Sequence, residues 1–508
     1  MPPLVVSPAN DRLVANVHPP DWANPEPAAN YNLVVIGAGT AGLVTAKGAA
    51  GLGAKVAIIE RDLMGGDCLN VGCVPSKGVI AAARAAAAVR EAGAFGVEAT
   101  IDRIDFARAM ERMRELRAEI SPIDSAASCR EAGCDVFFGD ARFESDGSVS
   151  VSGEHGDARL SGSRVVICTG ARARVPDIPG LREADPLTNE TVFSLTEPPR
   201  RLVVLGGGPI GSELAQSFAR FGVDVVQIEK GPGILSGDDP EAAAIVAERM
   251  RADGVTLHCG AELKRVERGG EGYRCVIATA GGEVIEEGSH LLVGAGRQPN
   301  VETLNLDAVG VKWSERHGVE VDDTLRTANP RIYAAGDVAS RHKFTHAAEF
   351  LARTVIENAL IKDKLRAFKK KASRLVIPHA TYTSPEVAGV GQTARADGEP
   401  DGDAYTFPLQ HNDRAILEGQ TAGFVRVWCR RGSDEILGAT IVAEPAGELI
   451  GLVTMAMTHG LGLGAVASVI QPYPTQADAV RQAGNAYAKS RLTPLAAKAF
   501  GKLFAWTR

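Results

Sequence analysis

A chain of 508 residues, 45% of them hydrophobic, has room for several domains with cores of their own. A formal charge of −7 gives no case for nucleic-acid binding, and eight cysteines are too few for a disulfide-scaffolded secreted fold. No run of 18 uncharged apolar residues occurs, so no membrane-spanning helix is expected.

Residues 1–29 hold seven prolines and no basic segment followed by an apolar core, which reads as a tail or strap and not as a secretory signal. The first ordered element follows. A short apolar run, Leu33 to Ile36, enters a turn with Gly37, Gly39 and Gly42, then an alanine-rich helical stretch, then a second apolar run ending at Glu60. This is the dinucleotide-binding βαβ pattern. The first glycine permits the tight turn, the second lets a pyrophosphate approach, the third packs helix on strand, and the acid bonds ribose hydroxyls.

Next comes GGDCLNVGCVPSK, Gly65 to Lys77, with Cys68 and Cys73 separated by four residues. A pair at this spacing closes a small disulfide at a helix start, where the helix N-terminus favours thiolate over thiol. A zinc site would need two further ligands, and none stands nearby at finger-like spacing. Unpaired core cysteines would not need the surrounding glycines, proline and lysine. A redox-active disulfide is therefore expected. Val79–Ala92 and Phe106–Ile120 read as a helical hairpin. Cys129 and Cys134 repeat the gap without glycine fingerprint or lysine and read as ordinary helix-end and strand-start cysteines.

The chain then repeats its first device. RLVVLGGGPIG carries Gly206, Gly208 and Gly211, and a second apolar run ends at Glu229. The glycine-to-acid distance is 23 residues in both copies. Two dinucleotide sites on one plan imply two cofactors that exchange electrons, a flavin beside the disulfide and a nicotinamide donor in the second. Glu229 accepts hydrogen bonds from both ribose hydroxyls of NADH and repels the 2′-phosphate of NADPH, so NADH is expected, with NADPH possible because Lys230 is adjacent. A helix over DPEAAAIVAERMRADGV and a strand near Val255–Cys259 follow. The basic run KDKLRAFKKK reads as a solvated helix end or linker.

Together these motifs resemble the class I pyridine nucleotide-disulfide oxidoreductases, the family of glutathione reductase, dihydrolipoamide dehydrogenase and mercuric reductase, over roughly residues 30–490. Further landmarks stand in the family's order: CTG with Thr169 and Gly170, GAGRQPN with Gly296 and Arg297, IYAAGDV with Gly336 and Asp337, and YTSPEVAGVG at 382–391. The resemblance implies an α/β fold: two Rossmann-like dinucleotide-binding domains plus a C-terminal α+β dimerisation domain. It divides the chain into a tail (1–29), an FAD domain (30–185 and 299–372), an NAD(P)H domain (186–298), a dimerisation domain (375–490) and a basic C-terminal tail (491–508).

The same resemblance assigns roles. Cys73 lies against the flavin as the charge-transfer thiolate, and Cys68 meets the substrate. Lys77 stands by the flavin, paired with Glu213. Asp337 holds the ribityl chain. Gly66 belongs to the flavin cradle, and the helix containing Ala347, which starts at Thr345, turns its N-terminus toward the flavin's pyrimidine edge. The active unit is a homodimer with shared sites, in a reducing cytoplasm.

Near the C-terminus the chain departs from the disulfide-reducing members. Their histidine–glutamate pair reads roughly HPTxxE; here the segment is QPYPTQAD, with Tyr473 and Asp478 in those places. A phenol with a pKa near ~10 is a poor base at neutral pH, so glutathione disulfide and lipoamide are not expected to be reduced by the usual route. The mercuric reductase branch has a tyrosine here, and Asn412-Asp413-Arg414-Ala415 also resembles it. Against that branch, the last cysteine is Cys429 and the first 29 residues contain none. The expected activity passes electrons from NAD(P)H through FAD and Cys68/Cys73 to a soft metal ion such as Hg(II) or a related electrophile. The alternatives are a reductase of a small disulfide or quinone, and a redox component serving a protein partner. No resident metal is expected. From Ala479 to Arg508 there are six bases and no acid. That end reads as a helix packed on its own dimer, with contact to an anionic membrane surface as the alternative.

Overall fold

The computed structural model describes residues 4–270, 272–362 and 368–508. Two parallel sheets form its centre. The first runs in the order Ile332–Ala334, Gly162–Ile167, Tyr31–Ile36, Val56–Glu60, Cys134–Phe138. The second runs Val255–Cys259, Asp224–Glu229, Arg201–Leu205, His290–Val293. Their strands are near-continuous aliphatic runs because helices or a second layer cover both faces. Each fully buried Val, Leu or Ile side chain contributes about 1.5–3 kcal/mol. Register sets Ile36 beside Ile59 and Leu205 beside Ile228, so each glycine turn leaves its sheet next to the acid one residue beyond, Glu60 or Glu229. Both sites therefore open at the carboxyl ends of the strands, where parallel sheets bind ligands.

The third unit is an α+β layer. An antiparallel sheet in the order Pro378–Thr381, Glu386–Gly391, Ile436–Ala443, Phe424–Cys429, Asp403–Pro408 packs against helices Ala446–Thr458 and Asp478–Ser490. Two three-stranded antiparallel sheets are appended, at Asp140–Leu160 and Glu262–Gly288.

Two regions differ from the sequence reading in form. Residues 1–29 are not only a proline-rich tail: Ser7 caps a helix, Pro8–Val17, whose Leu13 and Val17 are fully buried. The first arm of the helical hairpin starts six residues earlier than its apolar pattern, at Cys73, with Gly72 at the N-cap position. The C-terminal residues form a helix, Pro494–Trp506, with no buried residue in the single chain. Residues 363–367 of the basic run lie outside the described residues.

Candidate active site

The two dinucleotide loops are built alike. A Cβ at Gly42 would fall 1.8 Å from the Gly37 carbonyl, and one at Gly211 would fall 2.2 Å from the Gly206 carbonyl, so neither turn admits a side chain. At Gly208 a Cβ would meet nothing within 4 Å, leaving the backbone open to a ligand. Gly39 and Gly66 approach each other across the first loop. Glu60 accepts hydrogen bonds from the Ala38 and Asp62 amides at 2.7 and 2.9 Å, and Glu229 accepts from Gly207 and Gly231 at 2.5 Å. Burial pushes the Glu60 carboxyl above its ordinary range.

A cavity of about 1260 Å³ runs from the first loop past the cysteines to the second, and its wall includes Gly37, Glu60, Asp337, Cys73, Lys77 and Gly208. Its far wall comes from CTG and GAGRQPN. Thr169 Oγ1 donates to the Asn300 carbonyl at 2.6 Å, and the Asn300 amide returns a bond to Thr169. Gly170, Gly296 and Gly336 all hold positive φ, at 66°, 106° and 80°. The Asp337 carboxyl, raised by burial, faces Arg297 at 3.6 Å, and Arg297 also bonds Asp67 and the Ala171 carbonyl. Ala347 is buried in the first turn of helix Thr345–Ile356, whose N-cap offers no side-chain acceptor to the first-turn amides. Acidic groups for ribose and ribityl hydroxyls, side-chain-free turns for a pyrophosphate, and uncapped helix amides for an anionic ring edge fit FAD.

At the middle of this cavity Cys68 and Cys73 stand as free thiols that hydrogen-bond one another. Cys68 lies in the turn Gly66–Asn70 and Cys73 at the first position of helix Cys73–Glu91. Donation from Cys68, the Thr345 hydroxyl at 3.2 Å and the Lys77 charge hold Cys73 well below the usual thiol range. The same mutual bond, with burial, pushes Cys68 up. These effects favour the thiolate at Cys73 and the thiol at Cys68. Lys77, one turn along the helix, contacts Glu213 at 2.9 Å and lies 4.3 Å over the Tyr382 ring. Glu213 is buried and takes the Tyr382 amide on its other oxygen at 2.9 Å.

Two site candidates lie elsewhere in the single chain. Tyr473 is 79% exposed, and its hydroxyl donates to Asp413 at 3.0 Å. Asp478 does not pair with it. That carboxylate starts helix Asp478–Ser490 and binds Arg481 and Gln482 at 2.6 and 3.1 Å. The Asn412 side chain fixes both neighbours, capping helix Asp413–Leu417 and donating to the Thr475 carbonyl at 3.1 Å. The sequence reading also passed over Asp124. It ends the short 3₁₀ turn Ser121–Asp124, and its charge reaches Cys68.

The family described as pyridine nucleotide-disulphide oxidoreductase matches residues 31–352, and its dimerisation domain matches residues 377–484. The mercuric reductase of Streptomyces lividans is 34% identical over 462 residues, covering 90% of this chain and 96% of that protein. The dihydrolipoyl dehydrogenase of Bacillus subtilis is 31% identical over 454 residues, covering 89% and 95%. Among solved structures, the Cu(II) complex of the HOCl-induced flavoprotein disulfide reductase RclA from Escherichia coli is similar with a TM-score of 0.77 at 26% identity, covering 90% of this chain and 99% of that one.

Proposed function

This chain belongs to the pyridine nucleotide-disulphide oxidoreductases, FAD-dependent enzymes that use NAD(P)H, and from that premise we propose that it delivers electrons through Cys68 and Cys73 to a soft metal ion such as Hg(II) or a related electrophile. FAD, which the Gly37–Gly42 loop, Glu60 and Asp337 would hold, would supply the two-electron relay between nicotinamide and disulfide. The protein's part is to hold Cys73 as thiolate with Lys77 and Thr345, to keep Glu213 as the lysine's counter-charge, and to leave Cys68 as the thiol that meets the acceptor. The dimerisation domain makes the working unit a homodimer, and on this reading Tyr473 reaches the acceptor side of the partner's site.

One observation carries the acceptor class. The segment where a disulfide reductase keeps an imidazole holds a phenol engaged with Asp413. A phenol raised in pKa by a carboxylate serves thiol–disulfide exchange poorly but sits well beside an acceptor that needs no proton. The mercuric reductase identity and the Cu(II) on a similar fold support this class. The dihydrolipoyl dehydrogenase identity supports the second reading, reduction of a small disulfide.

The deciding experiment reduces the protein anaerobically with NADH. Hg(II), Cu(II), quinones and low-molecular-weight disulfides are then mixed in, and flavin reoxidation is timed. Fastest reoxidation by a metal ion is the expected outcome; fastest reoxidation by lipoamide moves the assignment to the second reading.

A further inference from the structure

Tyr382, just past strand Pro378–Thr381 of the dimerisation domain, touches both members of the Lys77–Glu213 pair. Its backbone amide donates to Glu213 Oε1 at 2.9 Å. Lys77 Nζ lies 2.9 Å from Oε2 of the same carboxylate and 4.3 Å from the centre of the Tyr382 ring. The ammonium is thus shared between a carboxylate and an aromatic face. Glu213 is buried, but the Lys77 side chain is 36% exposed, so its flexible stem has room to swing unless a second attraction fixes the tip. Burial raises the Tyr382 phenol, so the ring stays neutral beside the ammonium. The ring is itself anchored from the helix that carries Lys77. Arg84, two turns further along helix Cys73–Glu91, donates to the Thr383 carbonyl at 3.2 Å and to Glu386 at 2.9 Å, and Glu386 accepts from the Gly447 amide at 3.0 Å. Cys73, Lys77 and Arg84 share one face of that helix, and the loop Tyr382–Glu386 meets it.

We propose that Tyr382 is a positioning residue for Lys77: its ring holds the ammonium by a cation–π contact at the place from which the charge acts on the Cys73 sulfur, one helical turn away. The proposal rests on Cys73 being the thiolate beside the flavin. The titratable groups that act on Cys73 are Cys68, Lys77 and Glu213; the first two favour its thiolate and Glu213 opposes it. The two neighbours of Lys77 therefore act differently. Glu213 pairs with the ammonium but adds negative charge beside the thiolate, whereas the neutral ring holds the ammonium and adds none. The dimerisation domain thereby serves the active site of its own subunit, apart from any residue it lends to the partner's site.

The test varies the ring's charge distribution at nearly constant shape. Wild type, Tyr382→Phe and a chain with trifluorophenylalanine at position 382 are reduced with NADH, and the long-wavelength thiolate–flavin absorbance is titrated from neutral to acid pH. Fluorination removes the negative face of the ring and leaves its outline almost unchanged. Tyr382→Phe is expected to fade where the wild type does. The fluorinated ring is expected to fade at a pH higher by roughly half a unit, because a loosened Lys77 lets Cys73 take its proton sooner as acid is added. In a Lys77→Met background the two rings should fade together. A fluorinated ring that fades with phenylalanine when Lys77 is present, or a difference between them that survives Lys77→Met, overturns the proposal. So does a shift in Tyr382→Phe as large as the fluorinated one, which assigns the effect to the hydroxyl. Bound flavin per chain checks the fold. If the fluorinated chain loses flavin, Tyr382→Leu against Tyr382→Phe decides on the same titration, with Leu expected to fade at the higher pH and equal fading counting against the ring. Wild type without the long-wavelength band overturns the premise about Cys73, whatever the ring does.

Discussion

Two cysteine pairs in this molecule share one gap and one contact but not one chemistry. In Cys68/Cys73 and in Cys129/Cys134 the first thiol is pushed up and the second down by the hydrogen bond between them. The surroundings differ. Cys73 opens into the flavin cavity with Lys77 one turn away and the Thr345 hydroxyl at 3.2 Å. Cys129 and Cys134 are shut in the core of the first nucleotide domain, 0% and 2% exposed, between the end of helix Ala126–Glu131 and the first residue of strand Cys134–Phe138. Spacing makes two sulfurs neighbours. Lys47 acts on the buried pair as well, so what separates the two is the helix start at Cys73 and its open face toward the electron donor.

Exchanging serine into each pair breaks the comparison most sharply. Cys68→Ser and Cys73→Ser are each expected to cut NADH-driven turnover by roughly a thousandfold or more. They part in the visible spectrum of the reduced enzyme: Cys68→Ser keeps the long-wavelength thiolate–flavin absorbance and Cys73→Ser loses it. Cys129→Ser leaves both turnover and band unchanged. Loss of turnover in Cys129→Ser would show that the buried pair is not inert.

Coenzyme choice comes next in size. Glu229 is expected to give NADH a kcat/KM advantage over NADPH that shrinks by about tenfold or more in Glu229→Ala, each tenfold being ~1.4 kcal/mol. An NADPH preference in the wild type contradicts the role given to this carboxylate.

The charge beside the active pair gives a smaller, directional effect. Cys73 is depressed, so its thiolate is the form present at neutral pH, and the band should persist as pH falls through the ordinary thiol range, fading only once acid protonates Cys73. Lys77→Met removes one cause of that depression, and the fading should move to higher pH. A spectrophotometric titration in which Lys77→Met fades at lower pH than the wild type reverses the sign.

Much of this site is legible in the sequence because backbone geometry demands particular residues. Gly37, Gly42, Gly206 and Gly211 cannot be replaced where a Cβ would strike a carbonyl, and the acids at Glu60 and Glu229 must end their strands. What tertiary packing alone brings together is not legible. Asp124, in a turn with no motif, stands beside Gly65 only because the chain folds back after the helical hairpin. The Tyr473–Asp413 bond joins a loop to the start of helix Asp413–Leu417, 60 residues apart. The Pro8–Val17 helix was hidden by its prolines, one of which sits at its first position, where no amide is needed.

The smallest expected effect is on stability alone. Cys129→Ala should cost about 1–2 kcal/mol in urea unfolding, with the flavin spectrum intact. A matching loss of flavin would tie the buried pair to the cofactor after all.

The Pro8–Val17 helix matters for how the enzyme ages. Arg117, buried and pushed down to about 10, spans from the Asn10 side chain to the Asn70 carbonyl, both at 2.6 Å. His18 Nδ1 donates to the Asp62 carbonyl at 2.5 Å, and the Met64 amide to Val17 at 3.0 Å, two to four residues past Glu60. A protease nick after His18 that releases this segment therefore takes Asn10 from the buried Arg117 guanidinium and removes two bonds that hold the loop after Glu60, which lines the cavity. Clipped enzyme would keep its chain fold and both cysteines yet turn colourless on a desalting column, and adding back FAD would restore it only at high concentration.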